Sequence, residues 1–173
     1  MTDRNFEVRK GLTVANSVIV TSGSNVGIGN TSPAHALSIN GNAYISANVG
    51  IGTSSPTATL DVSGSVSTAK ANVVSQTLTD AATVSWDTSL GQIATVTLGG
   101  NRTMGAPTNL KVGTLILHVI QDGTGGRTLT WNSLFKWPAG IAPVLTTTAS
   151  RRDIISFVCD GTYMYGSYLP DVR

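Results

Sequence analysis

Three small sets of side chains could do chemistry. Trp137, Tyr163, Tyr165 and Tyr168 could stack on a glycan or a partner protein, because an aromatic ring joins a broad apolar face to a polar rim. Tyr163 and Tyr165 lie two apart and share one face of an extended strand, while Tyr168 takes the other. Trp86 and Trp131 alternate with Ser and Thr and read as core. His35 and His118 stand alone, without the clustered ligands that a metal site wants. His35 reads as an exposed turn residue and His118 as a hydrogen-bonded core or interface histidine. Cys159 is the only cysteine, so no intrachain disulfide is expected, and it reads as a small buried hydrophobe.

The nine acidic residues offer no catalytic pair. Asp61, Asp80, Asp87, Asp122, Asp160 and Asp171 fall in turns or at strand ends, whereas glycoside hydrolysis needs two carboxyl groups facing one cleft. Gly27-x-Gly29 and Gly50-x-Gly52 lack the third glycine and following helix of a dinucleotide site. The expectation is a chain that is not an enzyme and carries no cofactor and no metal.

The elements that must position these side chains begin with a repeat. Asn25-Val-Gly-Ile-Gly-Asn-Thr-Ser-Pro33 through Leu37-x-Ile39 to Gly41 is answered, 23 residues later, by Asn48-Val-Gly-Ile-Gly-Thr-Ser-Ser-Pro56 through Leu60-x-Val62 to Gly64. A faint partial copy, Phe6-x-Val8, lies nearer the start. Apolar residues recur at the strand period of two, and a stacked unit of this size rarely buries its apolar face alone. No Lys, Arg, Asp or Glu occurs between Leu12 and Leu60. That span fits neither a charged, water-facing surface nor a charge-rich disordered tail, and it lacks the run of about 20 apolar residues of a membrane helix. It reads as part of an intertwined β-fibre. Gly27, Gly29, Pro33, Gly41, Gly50, Gly52, Pro56 and Gly64 are the expected turns of this stalk, with Asn40-Gly41-Asn42 either a hairpin between 37–39 and 43–45 or a corner.

The pattern Val-Gly-Ile-Gly-x-x-Ser-Pro-x-x-x-Leu-x-Val-x-Gly resembles the shaft repeat of bacteriophage tail fibres and related virion projections. The resemblance implies a homotrimer. Residues 1–11 are charged and include Arg4, Phe6, Val8 and Arg9; they read either as a frayed terminus or as a strand that docks on a neighbouring virion protein. No apolar signal segment precedes the repeats.

Beyond residue 71 the composition changes, and all three tryptophans lie past that point. Two domains are therefore expected: a stalk with its docking segment over 1–71 and a head over 72–173. Strands are predicted at 72–78, 82–86, 92–98, 114–121, 128–131, 153–159 and 164–168, at the spacing of a β-sandwich or jelly roll. Asp122-Gly-Thr-Gly-Gly126 reads as a hairpin turn joining 114–121 to 128–131, and Asp160-Gly161 as another between the last two strands. Leu115-Ile-Leu-His-Val-Ile120 is apolar on both faces and reads as a central strand. The stretch Gln121 to Trp131 and the aromatic run to Leu169 also resemble C-terminal modules of phage fibres.

The fold class expected is all-β, an intertwined trimeric β-stalk followed by a jelly-roll-like β-sandwich head. Charged residues are only 12% and the formal net charge is +2, so neither a nucleic-acid nor a membrane partner is expected. The function expected is a virion structural protein assembled in the host cytoplasm. The short segment before the repeats favours a capsid decoration or cement protein. The alternative is a short tail fibre whose head binds a host surface glycan or receptor through Trp137, Tyr163, Tyr165 and Tyr168.

Overall fold

A computed structural model describes residues 26–28 and 34–173. Arg4, Phe6, Val8, Arg9, Gly29 and Pro33 lie outside the described residues. The chain divides into two compact units, 1–67 and 68–173.

In the first unit both copies of the repeat make the same ribbon. Strand β1 (Val26–Ile28) runs parallel to β2 (Leu37–Ile39), with Val26 opposite Leu37. Strand β3 (Val49–Ile51) runs parallel to β4 (Leu60–Val62), with Val49 opposite Leu60. In the second copy this parallel pairing makes the Ser55-Pro56 segment a crossover, so the chain returns to its start before β4 begins. Residues 43–45 form no strand, so the Asn40-Gly41-Asn42 hairpin is not made; Gly41 is a bend at φ 145.

The glycines follow from this path. Gly27 and Gly50 sit at strand centres, a correction to their expected place in turns. A Cβ on Gly50 would meet the Thr53 carbonyl oxygen at 2.5 Å, so the returning chain tolerates only hydrogen there. Gly52 adopts φ 74 and lies against the Ser63 carbonyl, in the left-handed region that glycine enters without strain. The crossover after Pro56 is closed by Asp61, whose Oδ2 accepts from the Thr57 backbone N–H at 2.9 Å and its hydroxyl at 3.0 Å. Those bonds hold the Asp61 carboxyl below its ordinary range, the backbone bond chiefly.

The second unit contains two sheets, and the chain alternates between them. Strands β5 (Ser75–Thr77), β7 (Ile93–Leu98) and β9 (Val112–Gln121) lie in a six-stranded sheet, while β6 (Thr83–Val84), β8 (Arg102–Met104) and β10 (Leu129–Trp131) form a three-stranded one. Neighbours among these six run parallel. The backbone therefore winds as a short coil, one strand per sheet in each turn. Strand β11 (Phe135–Lys136) follows, and then the antiparallel pair β12 (Arg152–Asp160) and β13 (Met164–Val172) completes the order β11-β13-β12-β9-β7-β5.

This arrangement keeps the expected all-β class but replaces the jelly roll, which pairs its strands antiparallel. The Asp122 to Gly126 turn is no hairpin; it carries the chain from β9 in one sheet to β10 in the other. The Asp160-Gly161 hairpin forms, with the Asp160 N–H donating to the Tyr163 carbonyl at 3.2 Å. Strands β8 and β11 were not predicted, because Arg102-Thr-Met104 and Phe135-Lys136 are too short to show a period. Strand β9 is central, flanked by β7 and β12.

Asp carboxylates close the corners of the coil. Asp80 accepts from the Gly99 N–H and makes two bonds with the Arg102 guanidinium, at 2.7 and 2.8 Å. Asp122 accepts from the N–H groups of Thr124 and Gly125 and pairs with Arg127 at 2.8 Å. Asp87 accepts from the Ser89 N–H and the Asn109 amide. Each carboxylate stands in for a partner that a turning backbone cannot supply.

Between the sheets lies one apolar core. Ala94, Val96 and Leu98 of β7, Leu115, Leu117 and Val119 of β9 and Ile155, Phe157 and Cys159 of β12 are buried with Val84, Met104 and Leu129 of the smaller sheet. Their period of two is the sheet period, so residues at odd positions of β9 and β12 point inward together. Trp86 is 1% exposed and meets the Phe157 ring edge-on at 5.8 Å.

Candidate functional site

With the inner face of the six-stranded sheet committed to the core, its opposite face presents the other parity. Across β13, β12, β9 and β7 one row reads Leu169, Ile154, His118 and Thr95, and the next Ser167, Ser156, Ile116 and Ile93. None of these side chains is fully buried. Charged residues of the same parity, Lys136 on edge strand β11 and Arg152 at the start of β12, stand at its margins.

The aromatic pair expected from the sequence gathers where the β12–β13 hairpin turns. Tyr163 and Tyr165 meet edge to face at 6.4 Å, and the Lys136 ammonium sits 4.4 Å from the centre of the Tyr163 ring, a cation–π contact. Asp160 organises the corner. Its Oδ1 accepts from the N–H groups of Thr162 and Tyr163, at 2.8 and 2.7 Å, and its Oδ2 from the Tyr165 hydroxyl at 3.0 Å. These bonds, the Tyr163 backbone bond first, lower the Asp160 carboxyl, and the same Asp160 contact raises the Tyr165 phenol. Tyr163 is 37% and Tyr165 48% exposed, so both rings stay partly open to solvent.

Trp137 and Tyr168 do not join that pair. Trp137 turns back against the core, edge-on to Trp131 at 4.9 Å and to Phe157 at 5.7 Å. It packs over Gly166, where a Cβ would overlap the indole ring. Tyr168 has the inward parity, is half-buried, and donates from its hydroxyl to the Val144 carbonyl at 2.8 Å. Burial is the main cause that raises its phenol. One edge of Trp137 still reaches a shallow groove of about 390 Å³, shared with Lys136, Pro138, Ser156, Val158, Tyr165 and Ser167. The groove combines apolar walls with the hydroxyls of Ser156 and Ser167.

His118 lies mid-face on β9. Partial burial, then the nearby Arg152 charge, lowers its pKa, so the neutral ring is favoured. His35 is exposed, and Cys159 is buried at 1% exposure. The acidic side chains at positions 61, 80, 87, 122, 160 and 171 each hold a turn or an arginine. Sequence reasoning passed over Lys136, Ser156 and Val158. Their alternation with Phe135, Phe157 and Cys159 carried the signal, since each neighbour is a core residue.

A family described as "Putative phage tail fibre C-terminal domain" has a model that matches residues 79–164. Neither the curated proteins nor the solved structures contain a match. The matched stretch runs from the first corner of the coil to the start of β13, all within the second unit, and it supports a phage fibre-type structural protein.

Proposed function

We propose that this phage fibre-type structural protein works as a homotrimeric projection of the tail, its repeats forming an intertwined stalk and its C-terminal unit a head that contacts the host surface. The observation that carries the reading is the uncovered repeat. In a single chain Leu37 is 59%, Ile51 55% and Leu60 60% exposed, and an isolated two-stranded ribbon is at best marginally stable in water. Small and uncharged neighbours let other chains approach closely, and burying apolar area contributes about 25 cal/mol per Å². Further copies of the same chain supply that cover with closed symmetry.

The tail placement takes its support from the description of the matching family, and a capsid decoration protein is the other reading that a fibre-type protein leaves open. The head contributes binding rather than chemistry: Tyr163 and Tyr165 offer stacking faces and Lys136 a cation at the hairpin corner, a set suited to a surface glycan. Native mass by light scattering is the test, with labelled antibody on whole particles. Three times 17.9 kDa, label at the tail and adsorption blocked by the free protein are expected. A monomer overturns the fibre; label over the capsid, with particles less tolerant of heat when the protein is missing, overturns the tail placement in favour of a decoration protein.

A further inference from the structure

The outward face of the six-stranded sheet is unusual for a surface. At its centre stand Ile93, Ile116, Ile154 and Leu169, with His118 among them and Thr and Ser between, while Ile120 lies in the marginal row beside Arg152. Leu169 is 58% exposed, and Val158 beside the patch 62%. A sheet face turned to water normally alternates polar residues against the core side, yet here the charges are confined to the margins. We infer that this face packs against the same face of the other copies, so that the heads as well as the stalks are held together through Ile116, Ile154 and their neighbours. The inference rests on the homotrimeric reading above and assigns it a surface.

Composition selects the occupant. Around a three-fold axis the residues nearest the axis face their own copies, so a self-packing face must carry no net charge there, where repulsion would be uncompensated. A foreign partner imposes no such rule. Size points the same way. Four strands about 4.8 Å apart, with about six residues each at about 3.3 Å, span on the order of 400 Å² in projection, short of the roughly 800 Å² per partner of an independently stable interface. Such a face closes when its partners are already tethered, and a shared stalk raises their effective concentration to the order of millimolar.

The test uses the full chain carrying Ser156→Cys, mid-face, or Thr162→Cys, at the hairpin turn outside it; the native Cys159 is 1% exposed and stays silent. Maleimide labelling at a site open only when the heads part is slowed by the open fraction, so Ser156→Cys is expected to react about tenfold or more slower than Thr162→Cys in particles of trimeric mass. Adding Ile154→Lys, an outward substitution that leaves the core intact, is expected to restore the rate while the mass stays trimeric. A trimeric mass with equal rates at both cysteines, or slow labelling that Ile154→Lys leaves unchanged, overturns the packed face and leaves the stalk reading standing. A monomeric mass overturns both.

Discussion

Replacing Leu60 with serine tests the stalk at a strand residue that a single chain leaves uncovered. Leu60 leaves 60% of its surface uncovered in one chain. Full burial of a leucine side chain contributes about 2 kcal/mol, so covering that fraction between chains contributes roughly 1.2 kcal/mol per chain and about 4 kcal/mol per trimer. At 1.4 kcal/mol per decade, the trimer dissociation constant of Leu60→Ser rises by about 2.5 to 3 decades. Leu37, at 59% exposed, occupies the same place in the other copy, and the double substitution is expected to move the constant by about twice as many decades. Light scattering across a dilution series reads the mass, and circular dichroism reads whether the head stays folded. Loss of the trimer at micromolar concentration with an intact head agrees with the reasoning. An unchanged dissociation curve for the double variant refutes it, because the exposed leucines would then face water in the assembled protein.

Three further outcomes follow from the head. Gly166→Ala forces a methyl against the Trp137 ring and the Phe157 edge; overpacking of this kind costs about 1–3 kcal/mol, and urea unfolding should show that loss together with a red-shifted tryptophan emission. Phe157→Ala, which removes a ring in contact with Trp86, Trp131, Phe135 and Trp137, is expected to cost about 3–5 kcal/mol, and a loss below 1 kcal/mol by the same assay would contradict the shared core. The Asp122 carboxyl is lowered from 3.8 to about 2, first by Arg127 and then by the Gly125 N–H. Its folded pKa lies below its unfolded one, so its contribution is present above pH 3.8 and fades as pH falls through about 2; Asp122→Asn should flatten the melting temperature over that window, and a profile parallel to the parent would refute the role of this corner.

Local features were legible in the sequence and pairings were not. The alternation in Ala94-Thr-Val-Thr-Leu98 and Leu115 to Ile120 places strands β7 and β9 and their inward residues without any structure, because side-chain direction depends only on the backbone period. The glycines of Asp122 to Gly126 announce a turn for the same local reason. Which strand follows that turn into which sheet depends on partners far away in the chain, such as Arg102 to Met104, paired 27 residues on with Leu129 to Trp131 of β10, and these leave no mark in the turn itself. The aromatic set divides in the same manner: parity put Tyr163 and Tyr165 together, but the space over Gly166 that draws Trp137 inward exists only when β11, β12 and β13 are side by side. By itself the sequence determined the all-β class, the duplicated ribbon with its lack of charge and the places where the chain must turn, all consequences of residue chemistry within a few positions. Tertiary structure decided that the strands wind as a parallel coil, that the Ser55-Pro56 segment is a crossover, and that a band of isoleucines lies on one outward face, since each depends on register between segments apart in the chain.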